Sequence, residues 1–215
     1  MAIELAKAGY VVATISYRLA PEAQYPAAIY DVKAALRWLR THADDYNVDP
    51  TRIAVGGSSA GGQIASLAGM TNGLVRFDLQ AQQSDASKLV SSDAQLILNI
   101  DGLSDFTSAE ARKHEDAPEK NPSAAGAWFG GNYAQKRDLW HEASPTYYVG
   151  EQSPPILFLN SAQERFHVGR DEMVQKMAIY NIPTKAVTLP DTPHTFWLYD
   201  PWVKPAADAV IEFLQ

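Results

Sequence analysis

Residues 52–62 read Arg52-Ile53-Ala54-Val55-Gly56-Gly57-Ser58-Ser59-Ala60-Gly61-Gly62. The short apolar run from Arg52 to Gly56 reads as a strand. Gln63 to Met70 reads as a helix. Between them, Gly57-Ser58-Ser59-Ala60-Gly61 fits G-x-S-x-G with Ser59 central. Ser58 cannot be central, because its flanks would be Gly56 and Ala60. A serine on so sharp a strand-to-helix turn needs neighbours without side chains, since those would collide. The turn lifts the hydroxyl above the sheet, over a helix N-terminus that favours developing negative charge. The Ala60 amide then points where an oxyanion would form. The competing reading is a glycine-rich turn with a capping serine. The predicted strand before the motif and the predicted helix after it favour the nucleophile.

Working outward, strand and helix patterns alternate. Tyr10 to Ser16 is β-branched and reads as a buried strand. Ala28, Val32, Ala35, Leu36 and Leu39 make one helical face in a helix starting at Ala27. Strands are expected at Ala94 to Ile100, Pro155 to Asn160 and Lys185 to Leu189. Helices are expected at Gly169 to Tyr180, with Met173, Val174, Met177 and Ala178 inward, and at Ala206 to Leu214. Residues 71–92 look like a polar excursion. Residues 103–150 read as short helices and loops, an irregular cap-like insertion over the sheet edge within a single domain. Such alternation predicts an α/β fold, a mostly parallel sheet with helices on both faces.

At 215 residues the chain suits one domain with a substantial core. A formal net charge of -7 argues against a nucleic-acid surface. Without cysteine there is no disulfide frame and no thiolate metal site. The dispersed histidines show no metal-ligand spacing. No apolar run approaches the roughly 20 residues that span a bilayer. The opening residues lack a signal peptide, so a soluble protein is expected, cytoplasmic as expressed, with its natural compartment open. Met1 to Lys7 reads as the last turns of a helix ending at Gly9.

A serine hydroxyl needs a base. Of His42, His114, His141, His167 and His194, His194 follows the last predicted strand, at the carboxyl edge of the sheet beside the Ser59 turn. His42 ends a helix far from that edge. His114 and His141 lie in the irregular region, and His167 opens the helix after the Pro155 strand.

Several stretches together resemble the hormone-sensitive-lipase-like and feruloyl- or acetyl-esterase-like branches of the α/β-hydrolases. They are Tyr17-Arg18-Leu19-Ala20-Pro21-Glu22, Tyr25-Pro26-Ala27, Gly56 to Gly62, Ala143-Ser144-Pro145 and Pro193-His194-Thr195-Phe196. The resemblance implies a carboxylic ester hydrolase with a Ser-acid-His triad and no cofactor. Its substrate would be a small-molecule or carbohydrate ester. In such enzymes the acid follows the penultimate strand. Counting along Leu159-Asn160-Ser161-Ala162-Gln163-Glu164 puts Glu164 there, with Asp171 as the alternative. Gly57, Ser58 and Trp197 are expected to line the substrate. Trp197, Tyr199 and Trp202 could stack on sugar faces, or simply pack the last helix.

One departure from the family stands out. These esterases carry a His-Gly-Gly loop after the third strand, which completes the oxyanion hole. No such loop is present, and the chain reads as an N-terminally truncated α/β-hydrolase. The strand at Tyr10 and the strand at Arg52 would flank the missing one. They must pair directly, accept a second chain as a homo-oligomer, or leave an exposed edge. A truncated, weakly active binding protein is therefore the alternative to an active esterase, with a peptidase third.

Overall fold

The computed structural model describes residues 1–85 and 88–215. Residues 86 and 87 of the expected polar excursion lie outside them. Leu-Ile-Leu-Asn-Ile at 96–100 and Ile-Leu-Phe-Leu-Asn at 156–160 are nearly unbroken apolar runs, as strands covered on both faces require. They form the centre of a parallel sheet in the order β1 (Ala54–Ser58), β2 (Leu96–Ile100), β3 (Ile156–Asn160) and β4 (Thr184–Thr188). The helices are α1 (Ala2–Lys7), α2 (Ala27–Thr41), α3 (Ala60–Met70), α4 (Leu79–Gln83), α5 (Ala109–Glu115), α6 (Ala124–Phe129), α7 (Tyr133–Glu142), α8 (Arg170–Ile179) and α9 (Val203–Leu214).

Period-two alternation sorts the strand side chains between two cores. Val55, Ile97, Ile156 and Phe158 meet Ile29, Val32 and Leu36 of α2, Ile64 and Leu67 of α3, and Met173 and Met177 of α8. Leu98, Ile100, Leu157 and Leu159 meet Leu5 of α1, Phe196, and Ala206 and Val210 of α9. Each fully buried Leu, Ile or Phe contributes about 1.5–3 kcal/mol, so both faces stabilise the sheet. Ala178, expected inward, is exposed.

The 103–150 stretch does not stand apart from this core. Phe106, Phe129 and Trp140 are buried in the same cluster as α2 and α3. Phe106 meets Phe129 edge to face at 5.4 Å, and Phe129 lies 4.8 Å from Trp140. Asp78 and, through it, Ser92 of the polar excursion are tied to α2 by hydrogen bonds. Arg37 donates to both oxygens of Asp78, at 2.5 and 3.1 Å, and Ser92 Oγ donates to Asp78 at 2.6 Å. Burial alone would raise the Asp78 carboxyl. The bonds from Arg37, Ser92 and the Ala81 amide outweigh it and hold the group at about 2.

Two expectations need correction. Tyr10 to Ser16 is not a strand. Among the described residues, no backbone hydrogen bond joins this stretch to β1, and Val11 and Ile15 are exposed. A β-rich sequence needs a ladder partner to become a strand, and among the described residues β1, an edge of the sheet, pairs only with β2. The second concerns β1 itself, which runs to Ser58 rather than stopping at Gly56. Its ladder with β2 continues through Ser58 paired with Ile100, directly before Ser59.

Candidate active site

Ser59 has φ 55° and ψ −123°, a strained left-handed backbone for a residue with a side chain. The surroundings hold it there. Its amide donates to the Ile100 carbonyl at 2.8 Å. Its carbonyl accepts from Gly62 and Gln63 at 3.0 and 3.1 Å. The two motif glycines serve differently. A Cβ on Gly57 would run into the Gly61 carbonyl, whereas one on Gly61 would meet only the Tyr17 hydroxyl, at 4.0 Å. Ala60 opens α3, so its amide has no intrahelical partner and lies at the positive end of the helix dipole.

His194 stands in the loop between β4 and the 3₁₀ turn Phe196–Leu198. Its Nε2 is 2.8 Å from Ser59 Oγ and its Nδ1 is 2.8 Å from Asp101 Oδ2. The ionised carboxylate only accepts, so Nδ1 carries the proton and Nε2 is free to accept from the serine hydroxyl. The Asp101 side chain is fully buried. Its other oxygen accepts from the Ser161 amide at 2.8 Å and from Asn160 Nδ2 at 3.3 Å. A buried carboxylate with both oxygens hydrogen-bonded avoids the cost of an unpaired charge.

The carboxylate that His194 bonds is therefore Asp101, and not Glu164 or Asp171 as expected. Glu164 begins the 3₁₀ turn Glu164–Phe166 and is exposed. Asp171 is exposed on α8, where its hydrogen bond from Arg170 Nε at 2.8 Å holds its carboxyl below the usual range. The reason is register. Ser58 pairs with Ile100, so Ser59 and Asp101 are the first residues beyond adjacent strands at one level. The loop after β3 spends its first amide, that of Ser161, on Asp101 and then turns its carboxylate to solvent. The available sequence signal was an Asp-Gly pair directly after a buried strand. It reads as a simple turn, and Asp101 does take a left-handed φ of 54°. Gly102 leaves no room for a side chain, because a Cβ there would strike the Gln63 amide.

Phe166 was not foreseen. Its ring stacks on the His194 imidazole, with centroids 3.5 Å apart and planes 10° from parallel. Trp197 meets the imidazole edge to face at 5.1 Å. Tyr199 is exposed, while Trp202 packs on the second core. Gly57 and Ser58 end β1 beside Ser59. The other histidines have local partners: His42 bonds the Trp38 carbonyl, His167 the Ser161 carbonyl, and His141 stacks on Tyr147. His114 lies 3.7 Å from Glu110. Among the described residues no group of three or more His, Cys, Asp or Glu could hold a metal ion. None of the described helices is long and apolar enough to cross a membrane.

A parallel sheet flanked by helices, with a strained serine turn after a strand and a histidine after the last strand, defines an α/β-hydrolase fold. The chain belongs to the BD-FAE family, whose model matches residues 1–175. It is 29% identical over 218 residues to the esterase LipC of Mycobacterium tuberculosis, covering 98% of this chain and 51% of LipC. The chain thus spans about half the length of that relative. Among solved structures it is similar to a truncated form of a carbohydrate esterase from gut microbiota. There the TM-score is 0.78 at 23% identity, covering 98% of this chain and 76% of the other. It is also similar to an acetyl ester-xyloside bifunctional hydrolase from Caldicellulosiruptor lactoaceticus, with a TM-score of 0.73 at 22% identity over 92% of this chain and 68% of the other.

Proposed function

We propose that this chain is a serine carboxylic ester hydrolase working through an acyl-enzyme. The observation that carries the reading is the unbroken line from Ser59 Oγ through His194 to Asp101, with 2.8 Å at each step. Ser59 attacks the ester carbonyl while His194 Nε2 takes its proton. Asp101 holds the imidazole tautomer and stabilises the imidazolium. The Ala60 amide donates to the oxyanion. His194 then protonates the departing alcohol and, in the second half, activates the water that releases the acid. We further propose that its substrates are short-chain acyl esters, or acetyl or feruloyl esters of carbohydrate. The similarity to a carbohydrate esterase and to an acetyl ester-xyloside hydrolase supports the acetyl and carbohydrate part of this reading, as does Trp197 beside His194.

A weakly active binding protein is the second reading, favoured by the outer edge of β1 next to Ser59, which pairs with no other strand among the described residues. Removing one oxyanion donor costs about 10²–10³ in rate, so a hole resting on Ala60 alone would be slow. A second copy on that edge is one way to supply a donor, and light scattering reads it directly. Hydrolysis of a p-nitrophenyl acyl series by the chain, with Ser59→Ala alongside, separates the readings. Turnover of acetyl or butyryl esters that vanishes in Ser59→Ala supports the esterase. Turnover no greater than that of Ser59→Ala sinks it. Acetylated and feruloylated oligosaccharides then rank the substrates.

A further inference from the structure

The hydrogen bonds to Ser59 and Asp101 fix the His194 ring within its own plane. Phe166 covers one face of that ring at 3.5 Å, which blocks tilting toward it. Phe166 is itself braced. Its amide donates to the Gln163 carbonyl at 3.1 Å, and the His167 ring bonds the Ser161 carbonyl at 2.9 Å. Arg165 Nη2 is tied to Glu115 of α5 at 3.1 Å.

A benzene face does more than fill space. Its quadrupole is negative over the ring and attracts a cation placed there. Taking the Ser59 proton turns neutral imidazole into imidazolium, stacked on that face. Leucine would fill much of the same space without the quadrupole.

The other charged groups near the ring come from several elements. Asp101, after β2, favours the cation in the ring plane. The Arg165 guanidinium lies 4.6 Å from the Phe166 centroid and opposes it, but is paired with Glu115. Arg170 of α8 bonds Asn160 and Asp171. His167 is held by the Ser161 carbonyl, and Glu164 and Asp191 are exposed on the flanking loops.

We propose that Phe166 is a positioning residue for His194, holding the imidazole in line and stabilising its protonated form through the ring face. The proposal rests on the reading of Ser59, His194 and Asp101 given above. Phe166→Leu and Phe166→Trp test it in the full chain. One measurement is the pH dependence of kcat/KM on p-nitrophenyl acetate. The other is an NMR titration of the His194 ring signal, assigned by its loss in His194→Gln, which needs no turnover. Phe166→Leu should lower kcat about 3–10-fold with KM nearly unchanged. Both the acid limb and the NMR midpoint should move to lower pH by about half a pH unit. Phe166→Trp should restore all three. Should Phe166→Leu fail to fold, Phe166→Met reads the same loss of an aromatic face. Unchanged midpoints, or equal behaviour of Leu and Trp, would overturn the proposal while leaving an active wild type intact as an esterase. An inactive wild type whose NMR midpoint still falls in Phe166→Leu would sink the esterase reading and uphold the grip of Phe166 on the imidazolium.

Discussion

The loops after β2 and β3 leave neighbouring strands within one residue of each other in register, and each carries a carboxylate. The first delivers its carboxylate at once. Asp101 is the residue directly after Ile100, buried, with both oxygens bonded. The second delivers support instead. Asn160 and the Ser161 amide hold Asp101, Phe166 covers His194, and Glu164 faces solvent. Which loop carries the acid is therefore set by register against β1 and by burial. The number of residues between a strand and the nearest carboxylate does not decide it.

The sharpest way to break this comparison is to neutralise each acid. Asp101→Asn should lower kcat roughly 10³–10⁴-fold, because the imidazole loses the partner that sets its tautomer. Glu164→Gln should stay within about twofold. Matched ester-hydrolysis rates on the two variants decide it, and the reverse order would return the acid to the β3 loop.

A smaller effect sharpens the role of the turn behind Asp101. Gly102→Ala pushes a methyl into the Gln63 amide and should destabilise by about 1–3 kcal/mol, as overpacking does. Gly61→Ala has room and sits in α3, so it should be neutral or stabilising by up to about 1 kcal/mol. Thermal melts of the pair read the difference.

Asp78 in the polar excursion provides a contrast, since this buried carboxylate is bonded by Arg37 and Ser92 and not by His194. Asp78 is held at about 2 against 3.8 for a free group. Its depressed value adds roughly 2 kcal/mol of stability above pH 3.8, lost as pH falls toward 2. Urea unfolding of Asp78→Asn should show that loss at pH 6 and little further penalty at pH 2, with ester hydrolysis by the folded protein unchanged.

Much of the architecture was legible because it depends on local pattern. The glycines around Ser59, the apolar runs of β2 and β3 and the spacing along α2 each constrain a short stretch by its own sterics or burial. His194 was legible because it follows the last strand in a parallel sheet. Tyr10 to Ser16 misled because β-branched composition reports a preference for extended backbone. Only a hydrogen-bonding neighbour turns that preference into a strand. Glu164 misled because counting along one loop ignores the strand beside it.

The sequence alone determined the sharp turn at Ser59, the place of His194 after the last strand and the alternation that makes a parallel sheet, since each follows from neighbours within a few residues or from the order of elements. Tertiary structure decided the rest. Asp101 and His194 are 93 residues apart, and Ser59 and His194 are 135 apart. Their meeting depends on the register of β1, β2 and β3 and on two packed cores beneath them. The stacking of Phe166 depends on how a 3₁₀ turn is braced by α5. Those choices are made by long-range packing, which no local stretch of residues encodes.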